Sequence, residues 1–123
     1  MTRVLLITSR ETGRWVVPKG NPMKGFAPHE AAAQEAFEEA GLSGIADPSP
    51  IGDFRYVKRR GARRDRELSV TVFPLAVTAQ AEDWPERLQR KTRWFLPTDA
   101  SAAVEEPGLK RLIAGFGASR ASD

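Results

Sequence analysis

RWVVPKGNPMKGFAPHEAAAQEAFEEAGLSG, residues 14–44, is the stretch on which the fold turns. Its centre, Pro28 to Ala40, reads as a helix: Pro28 stands where a first helical residue tolerates proline, and Gly41 follows as a left-handed stop. Three glutamates, Glu35, Glu38 and Glu39, fall within five consecutive positions. At about 100° per residue they share an arc of roughly 100°. Ala33, Ala36, Phe37 and Ala40 project from the other side, which predicts a helix apolar on one face and triply anionic on the opposite one. Crowded carboxylates repel unless something positive sits among them, and an all-oxygen cluster suits a hard divalent cation, Mg²⁺ or Mn²⁺. The competing reading is a plain solvated acidic face. Pro18-Lys19-Gly20, a turn straight after a β-type run, offers backbone groups beside the helix and favours the metal.

The flanks fill in an α+β layout. Met1 to Ser9 holds VLLIT, a short apolar run that reads as a buried strand, and Glu11-Thr12-Gly13 reads as a turn before a second strand over Arg14 to Val17. Past the helix, Gly44 to Gly52 reads as a proline-punctuated connection, Ile51 to Lys58 as a strand, and residues 58–66 as a basic hairpin tip. Glu67 to Thr78 reads as one returning strand that frays or bends at Pro74. Ala81 to Arg90 is polar, and Arg93 to Leu96 forms a last strand. Thr98 is expected to cap a short helix to Val104, and Pro107 to Phe116 to form a closing helix with Leu109, Leu112, Ile113 and Phe116 at helical spacing. Residues 1–117 are thus expected to form one domain, with 118–123 a loose tail.

Composition excludes several classes. The 123-residue chain is 41% hydrophobic and 28% charged, ordinary for one globular domain. It has no cysteine, so it carries neither a disulfide framework nor a thiolate zinc site. No apolar run approaches membrane-spanning length and the chain opens directly into a strand, so a cytoplasmic protein is the expectation. Net charge is only +3, but the arginines are clustered.

The quoted stretch resembles the Nudix box, whose pattern is Gly, five residues, Glu, seven residues, then Arg-Glu-hydrophobic-any-Glu-Glu-any-Gly-hydrophobic. Gly20 fills the first place, and Glu35, Ala36, Glu38, Glu39, Gly41 and Leu42 fill the last part. Phe26 stands where Glu is usual and Gln34 where Arg is usual. Losing one partner of an ion pair strands a charge, whereas losing both does not, so the two departures read as a neutral replacement of one structural pair, with Glu30 in reach of Gln34 along the helix. An eroded, inactive site is the rival reading. FRYVKRRG, VTVFPLAVT and EDWPERLQRKTRWF look like the matching segments of the diphosphoinositol-polyphosphate and diadenosine-polyphosphate phosphohydrolases.

This resemblance implies an α/β/α sandwich with a mixed sheet, one carboxylate-bearing helix and a C-terminal helix. Family members usually carry a strand ahead of the one placed at Val4 to Thr8; it is expected either to precede the given residues, in a longer chain, or to be replaced by a neighbouring strand. It also implies a Mg²⁺- or Mn²⁺-dependent hydrolase of a phosphoanhydride in a nucleoside-diphosphate-linked or polyphosphorylated small molecule. Glu35 and Glu39, one helical turn apart, are the expected principal ligands; Glu38 is the third carboxylate, and the Gly20 carbonyl a further ligand. The same three glutamates are the expected catalytic residues. The general base is either one of them or a loop acid among Asp65, Glu67, Asp83 and Glu86, which the sequence does not rank.

Arg14, Lys19, Arg59, Arg60, Arg90, Lys91 and Arg93 are the expected substrate-binding cations, since guanidinium forks grip phosphates bidentately. Basic hairpin tips also serve as soluble edge protection. His29 reads as a surface residue, and Trp15, Trp84 and Trp94 as packing residues. The alternative function is a catalytically weak domain that binds a phosphorylated ligand or RNA for regulation. Nucleic acid is not the expected partner, because no aromatic residues interleave the basic run apart from Tyr56 at its edge. A monomer or homodimer is expected.

Overall fold

The computed structural model describes residues 2–58, 62 and 64–120. VLLIT forms β1 (Val4–Thr8), and its position explains its composition. Leu6 points into one apolar cluster, with Phe54, Phe95, Ala100, Val104, Leu109 and Ile113. Leu5 and Ile7 point into another, with Val16, Ala36, Ala40 and Leu42. A strand buried on both faces needs an unbroken apolar run, because alternate side chains meet opposite layers. β2 (Trp15–Val16) and β7 (Thr92–Phe95) flank β1, both antiparallel.

Helix α1 (Pro28–Ala40) covers one side. Its first residue is Pro28, and the preceding Ala27 is extended, with no capping side chain. The Glu30 carboxylate substitutes by accepting the Ala27 N–H at 2.8 Å. Glu30 is therefore engaged at the helix start rather than with Gln34. At the other end Gly41 adopts φ 72°, and its N–H reaches the Ala36 and Phe37 carbonyls. A side chain there would be strained and would also strike the Trp84 ring, with an added Cβ only 2.3 Å from Cε3.

Two strand assignments change. β3 (Leu42–Ala46) begins immediately after Gly41 and runs into the stretch from Gly44 that was expected to be a connection. LSGIA carries little strand signal because only its first residue is buried; what makes it a strand is its pairing with β6 (Leu75–Gln80), with a register shift between Ser43 and Gly44. Gly44 is required there, since a Cβ would come 2.1 Å from the Ala76 carbonyl oxygen. The expected single strand from Glu67 to Thr78 is two strands: β5 (Arg66–Val72) pairs with β4 (Gly52–Lys58), and β6 pairs with β3. Pro74, which has no N–H to give a ladder, lies at the break.

On the other side, α2 (Pro97–Ala103) and α3 (Pro107–Arg120) pack together and onto Phe54 and Leu6. Leu96, not Thr98, is the residue before α2, and Thr98 lies inside its first turn, because Pro97 already supplies the helical φ. Ala118 to Arg120, expected in a loose tail, continue α3; residues 121–123 lie outside the described residues. The arrangement is α+β, with α1 on one side of the β1 layer and α2 and α3 on the other. Where a mixed sheet was expected, the pairings among the described residues are antiparallel and form three small sheets, β2-β1-β7, β3-β6 and β4-β5.

Candidate metal and substrate site

The α1 face that turns inward is not the one its apolar residues suggested. Ala31, Ala36, Glu39 and Ala40 are buried, Glu35 is half-buried between them, and Ala33 and Phe37 are only partly covered. The inward face is thus rotated by roughly a quarter turn from the expected apolar stripe. Two of the three glutamates consequently point into the molecule, not to solvent. Glu39 is 4% exposed. Burying a carboxylate costs several kcal/mol unless it is paired or neutralised, so this orientation needs a compensating partner.

The partners in place only partly compensate. Glu39 lies beside Arg90, with Nη2 3.6 Å from Oε1, and close to the Glu35 carboxyl. Burial first, then the Glu35 contact, push its carboxyl up to about 8 from 4.5, against the pull of Arg90, with the Glu35 and Glu86 charges adding to the rise. Two carboxyl groups sharing one place is the electrostatic problem that a divalent cation resolves.

Gly20 completes this corner. A Cβ on Gly20 would lie 2.3 Å from Glu35 Cδ and 2.6 Å from Oε1, so the loop backbone rests directly against that carboxylate. Only glycine allows this approach. Glu35 and Gly20 also border a cavity of about 720 Å³ that runs between β1, β5, α1 and α3. Its walls are largely apolar, including Val72, Leu109 and Leu112, with Lys19 at the rim.

Glu38 stands apart. It is half-buried on the outer side of the helix and accepts a hydrogen bond from Gln34 Nε2 at 3.2 Å. Among the described residues no group of three His, Cys, Asp or Glu side chains is gathered closely enough to hold a metal. The assembled unit is Glu35, Glu39 and the Gly20 backbone. Its donors fit Mg²⁺ or Mn²⁺ in kind: they are all oxygen, come from a rigid helix, and sit against a cradle that a Cβ would fill. Phe26 is 51% exposed and Gln34 is exposed as well, so neither replaces a buried charge here. The stranded-charge explanation for the two departures is therefore unnecessary.

The expected substrate cations separate into three groups. Arg14 donates to Glu106 Oε2 at 2.6 Å, lies 3.5 Å from Glu105, and sits over the Tyr56 ring. Burial pulls its pKa down, but the Glu106 hydrogen bond and nearby carboxylates win and raise it. Lys19 Nζ lies 4.3 Å from the centre of the same Tyr56 ring. Lys91 and Arg93 are exposed on β7 or just before it, Arg93 lying over Phe95. Arg90 is largely covered, its Nε donating to Glu86 at 2.8 Å and its Nη1 to the Thr8 carbonyl at 3.2 Å. Arg59 and Arg60 lie outside the described residues.

Of the loop acids, Glu67 is paired with Arg55 on the β4–β5 ladder, and Asp83 accepts the Trp84 N–H. Glu86 reaches the carboxylate corner through Arg90, and the sequence held no signal for that link. Trp15 packs edge-on to Phe95, and Trp84 lies against Gly41, as packing residues do. No described helix is long and apolar enough to cross a membrane.

A sheet layer between α1 and the α2–α3 pair, with a glycine loop closing on a carboxylate helix, defines the class, and the chain matches the NUDIX domain over residues 1–116. It belongs to the Nudix family. It is 33% identical over 116 residues to the mitochondrial Nudix hydrolase 12 of Arabidopsis thaliana, covering 92% of this chain and 57% of that protein. It is 35% identical over 104 residues to diphosphoinositol polyphosphate phosphohydrolase 3-beta of Bos taurus, covering 83% and 59%. Diphosphoinositol polyphosphate phosphohydrolase 2 of Rattus norvegicus is 34% identical over 104 residues, covering 83% and 54%. The chain thus spans less than three fifths of each of these relatives.

Proposed function

We propose that this chain hydrolyses a phosphoanhydride bond in a nucleoside-diphosphate-linked or polyphosphorylated small molecule, using a divalent cation held by Glu35, Glu39 and the Gly20 carbonyl. The observation that carries the reading is the inward pair Glu35–Glu39 packed against Gly20, with Glu39 pushed up to about 8. An acidic face kept for solubility would not be buried. Names of similar proteins that include diphosphoinositol polyphosphate phosphohydrolases support the substrate class.

A phosphoanhydride is protected kinetically by the negative charge that repels nucleophiles, and Mg²⁺ or Mn²⁺ bound here would neutralise that charge and lower the pKa of water. The remaining work falls to the chain. Glu35 and Glu39 fix the position of charge on a rigid helix turn. Glu38, on the outer side and bonded to Gln34, would orient or deprotonate an attacking water only after leaving that bond and turning toward the Glu35–Glu39 pair. Lys19, beside Gly20, and the exposed Lys91 and Arg93 offer cations to the phosphate chain. Arg14 is held in its ion pair with Glu106 and contributes by fixing the strand that leads into the Gly20 loop.

The test is hydrolysis of a panel of diphosphoinositol polyphosphates, diadenosine polyphosphates and nucleoside-diphosphate conjugates with Mg²⁺ or Mn²⁺, with Glu39→Gln beside it. Metal-stimulated turnover that falls at least a hundredfold in the variant is expected, and an unchanged rate in that variant rejects the assignment. A second reading, a weak catalyst that mainly binds its ligand, draws on the Gln34 contact that holds Glu38 to the outside. It predicts ligand binding without metal-stimulated turnover on any member of the panel.

A further inference from the structure

The sequence groups Arg90 with the substrate-binding cations, but its surroundings point elsewhere. Its side chain is 11% exposed, and each of its three nitrogens faces protein. Nε donates to Glu86 Oε1 at 2.8 Å, Nη1 donates to the Thr8 carbonyl at 3.2 Å, and Nη2 lies 3.6 Å from Glu39 Oε1. The platform beneath it is fixed at both ends. The Glu86 N–H donates to the Glu38 carbonyl at 3.0 Å, tying the segment to the last turn of α1. The Thr8 hydroxyl accepts the Lys91 N–H at 2.9 Å, and the Thr8 N–H donates to the Lys91 carbonyl at 3.0 Å, tying it to β1.

We propose that Arg90 is a positioning residue for Glu39: it spans the gap between β1 and α1 and holds one carboxyl oxygen, so that the group stays turned toward Glu35 and the Gly20 loop. The inference rests on the reading of Glu35 and Glu39 as cation ligands. A planar fork held on two other sides fixes a carboxylate in direction as well as in charge, which a flexible ammonium does not. The box position where the family usually has arginine is the exposed Gln34, bonded to Glu38 instead. The cation beside the inward glutamate therefore comes from the loop ahead of β7.

The role makes a prediction of definite sign. A guanidinium that is merely a neighbouring charge repels a metal ion, so its removal would tighten binding. A guanidinium that orients a ligand loosens binding when removed. The metal-free protein is titrated with Mn²⁺ alone, following free Mn²⁺ by electron paramagnetic resonance, for wild type, Arg90→Gln, Arg90→Lys, Glu86→Gln and Lys91→Ala. Arg90→Gln is expected to weaken Mn²⁺ binding tenfold or more, consistent with the loss seen when groups that orient ligands are removed. Arg90→Lys recovers part of it, Glu86→Gln weakens it severalfold by freeing Arg90 on one side, and Lys91→Ala leaves it unchanged. At saturating Mn²⁺, Arg90→Gln lowers kcat with KM within about twofold of wild type.

Equal or tighter Mn²⁺ binding by Arg90→Gln overturns the proposal, as does a rise in KM alone, which returns Arg90 to the substrate. If Arg90→Gln does not fold, wild-type affinity in both Arg90→Lys and Glu86→Gln overturns it. A wild-type protein with no affinity for Mn²⁺ sinks the metal reading itself, which separates that failure from this one.

Discussion

Replacing Glu39 by glutamine should stabilise the metal-free protein at alkaline pH while abolishing its response to metal. Glu39 is 4% exposed, and its carboxyl is pushed up to about 8, by burial first and then by Glu35. In the unfolded chain it returns to its ordinary 4.5. Between those values the folded state holds the proton that the unfolded state has lost. Stability is therefore fully present below about pH 4.5 and falls as pH rises, levelling off above about 8. At 1.36 kcal/mol per pH unit the loss across this window is roughly 3 to 5 kcal/mol, a large part of a small domain's total. Glutamine keeps the shape and removes the charge, while Arg90 keeps Glu86 at 2.8 Å. Urea unfolding in EDTA at pH 5, 7 and 9 should show the variant within about 1 kcal/mol of wild type at pH 5 and several kcal/mol more stable at pH 9. Added Mg²⁺, which binds the ionised pair in the folded state, should restore the wild type at pH 9 and leave the variant where it was. A variant less stable than wild type at pH 9 in EDTA would refute the reasoning, because it would mean that the buried charge is fully compensated without a cation.

Other substitutions test the frame around the site. Gly20→Ala places a Cβ 2.3 Å from Glu35 Cδ, and should cost at least tenfold in Mn²⁺ affinity with little change in the thermal midpoint; unchanged affinity would detach Gly20 from the site. Gly41→Ala combines a left-handed φ of 72° with a clash against Trp84, and should destabilise by about 2 to 4 kcal/mol in urea unfolding. Arg14→Met leaves Glu106, whose Oε1 is already buried without a hydrogen-bond partner among the described residues, next to no cation in that pair, and should cost about 2 to 3 kcal/mol. Lys91→Ala, at an exposed position, should leave stability within about 0.5 kcal/mol while raising KM for a phosphorylated substrate.

The parts that were legible in the chain are those whose signal is local. VLLIT reads as a buried strand because nearly every residue in it is apolar, and α1 reads correctly from Pro28 to Gly41 because its start and stop are set by backbone chemistry in the two residues themselves. The Gly20-to-Leu42 spacing was enough to place the chain in its family. LSGIA was not legible, because a strand exposed over most of its length is defined by its partner β6 and not by its own side chains. The break at Pro74 was visible as a bend, but its consequence, sending β5 and β6 to different partners, was not.

The sequence by itself determined that three carboxylates lie on one arc of one helix, with a glycine turn ahead of them, since helical periodicity and turn chemistry need no distant contact. Tertiary structure decided which way that arc faces. Packing of Ala36 and Ala40 against Leu5, Ile7 and Leu42 rotates α1 so that Glu35 and Glu39 turn inward and Glu38 stays outside. It also decided the use of each cation, because Arg14 and Arg90 are alike in sequence, yet one is spent on Glu106 and the other on Glu39 and Glu86. The Arg14–Glu106 and Arg90–Glu39 pairings join segments far apart along the chain, and a local pattern of residues carries no record of them.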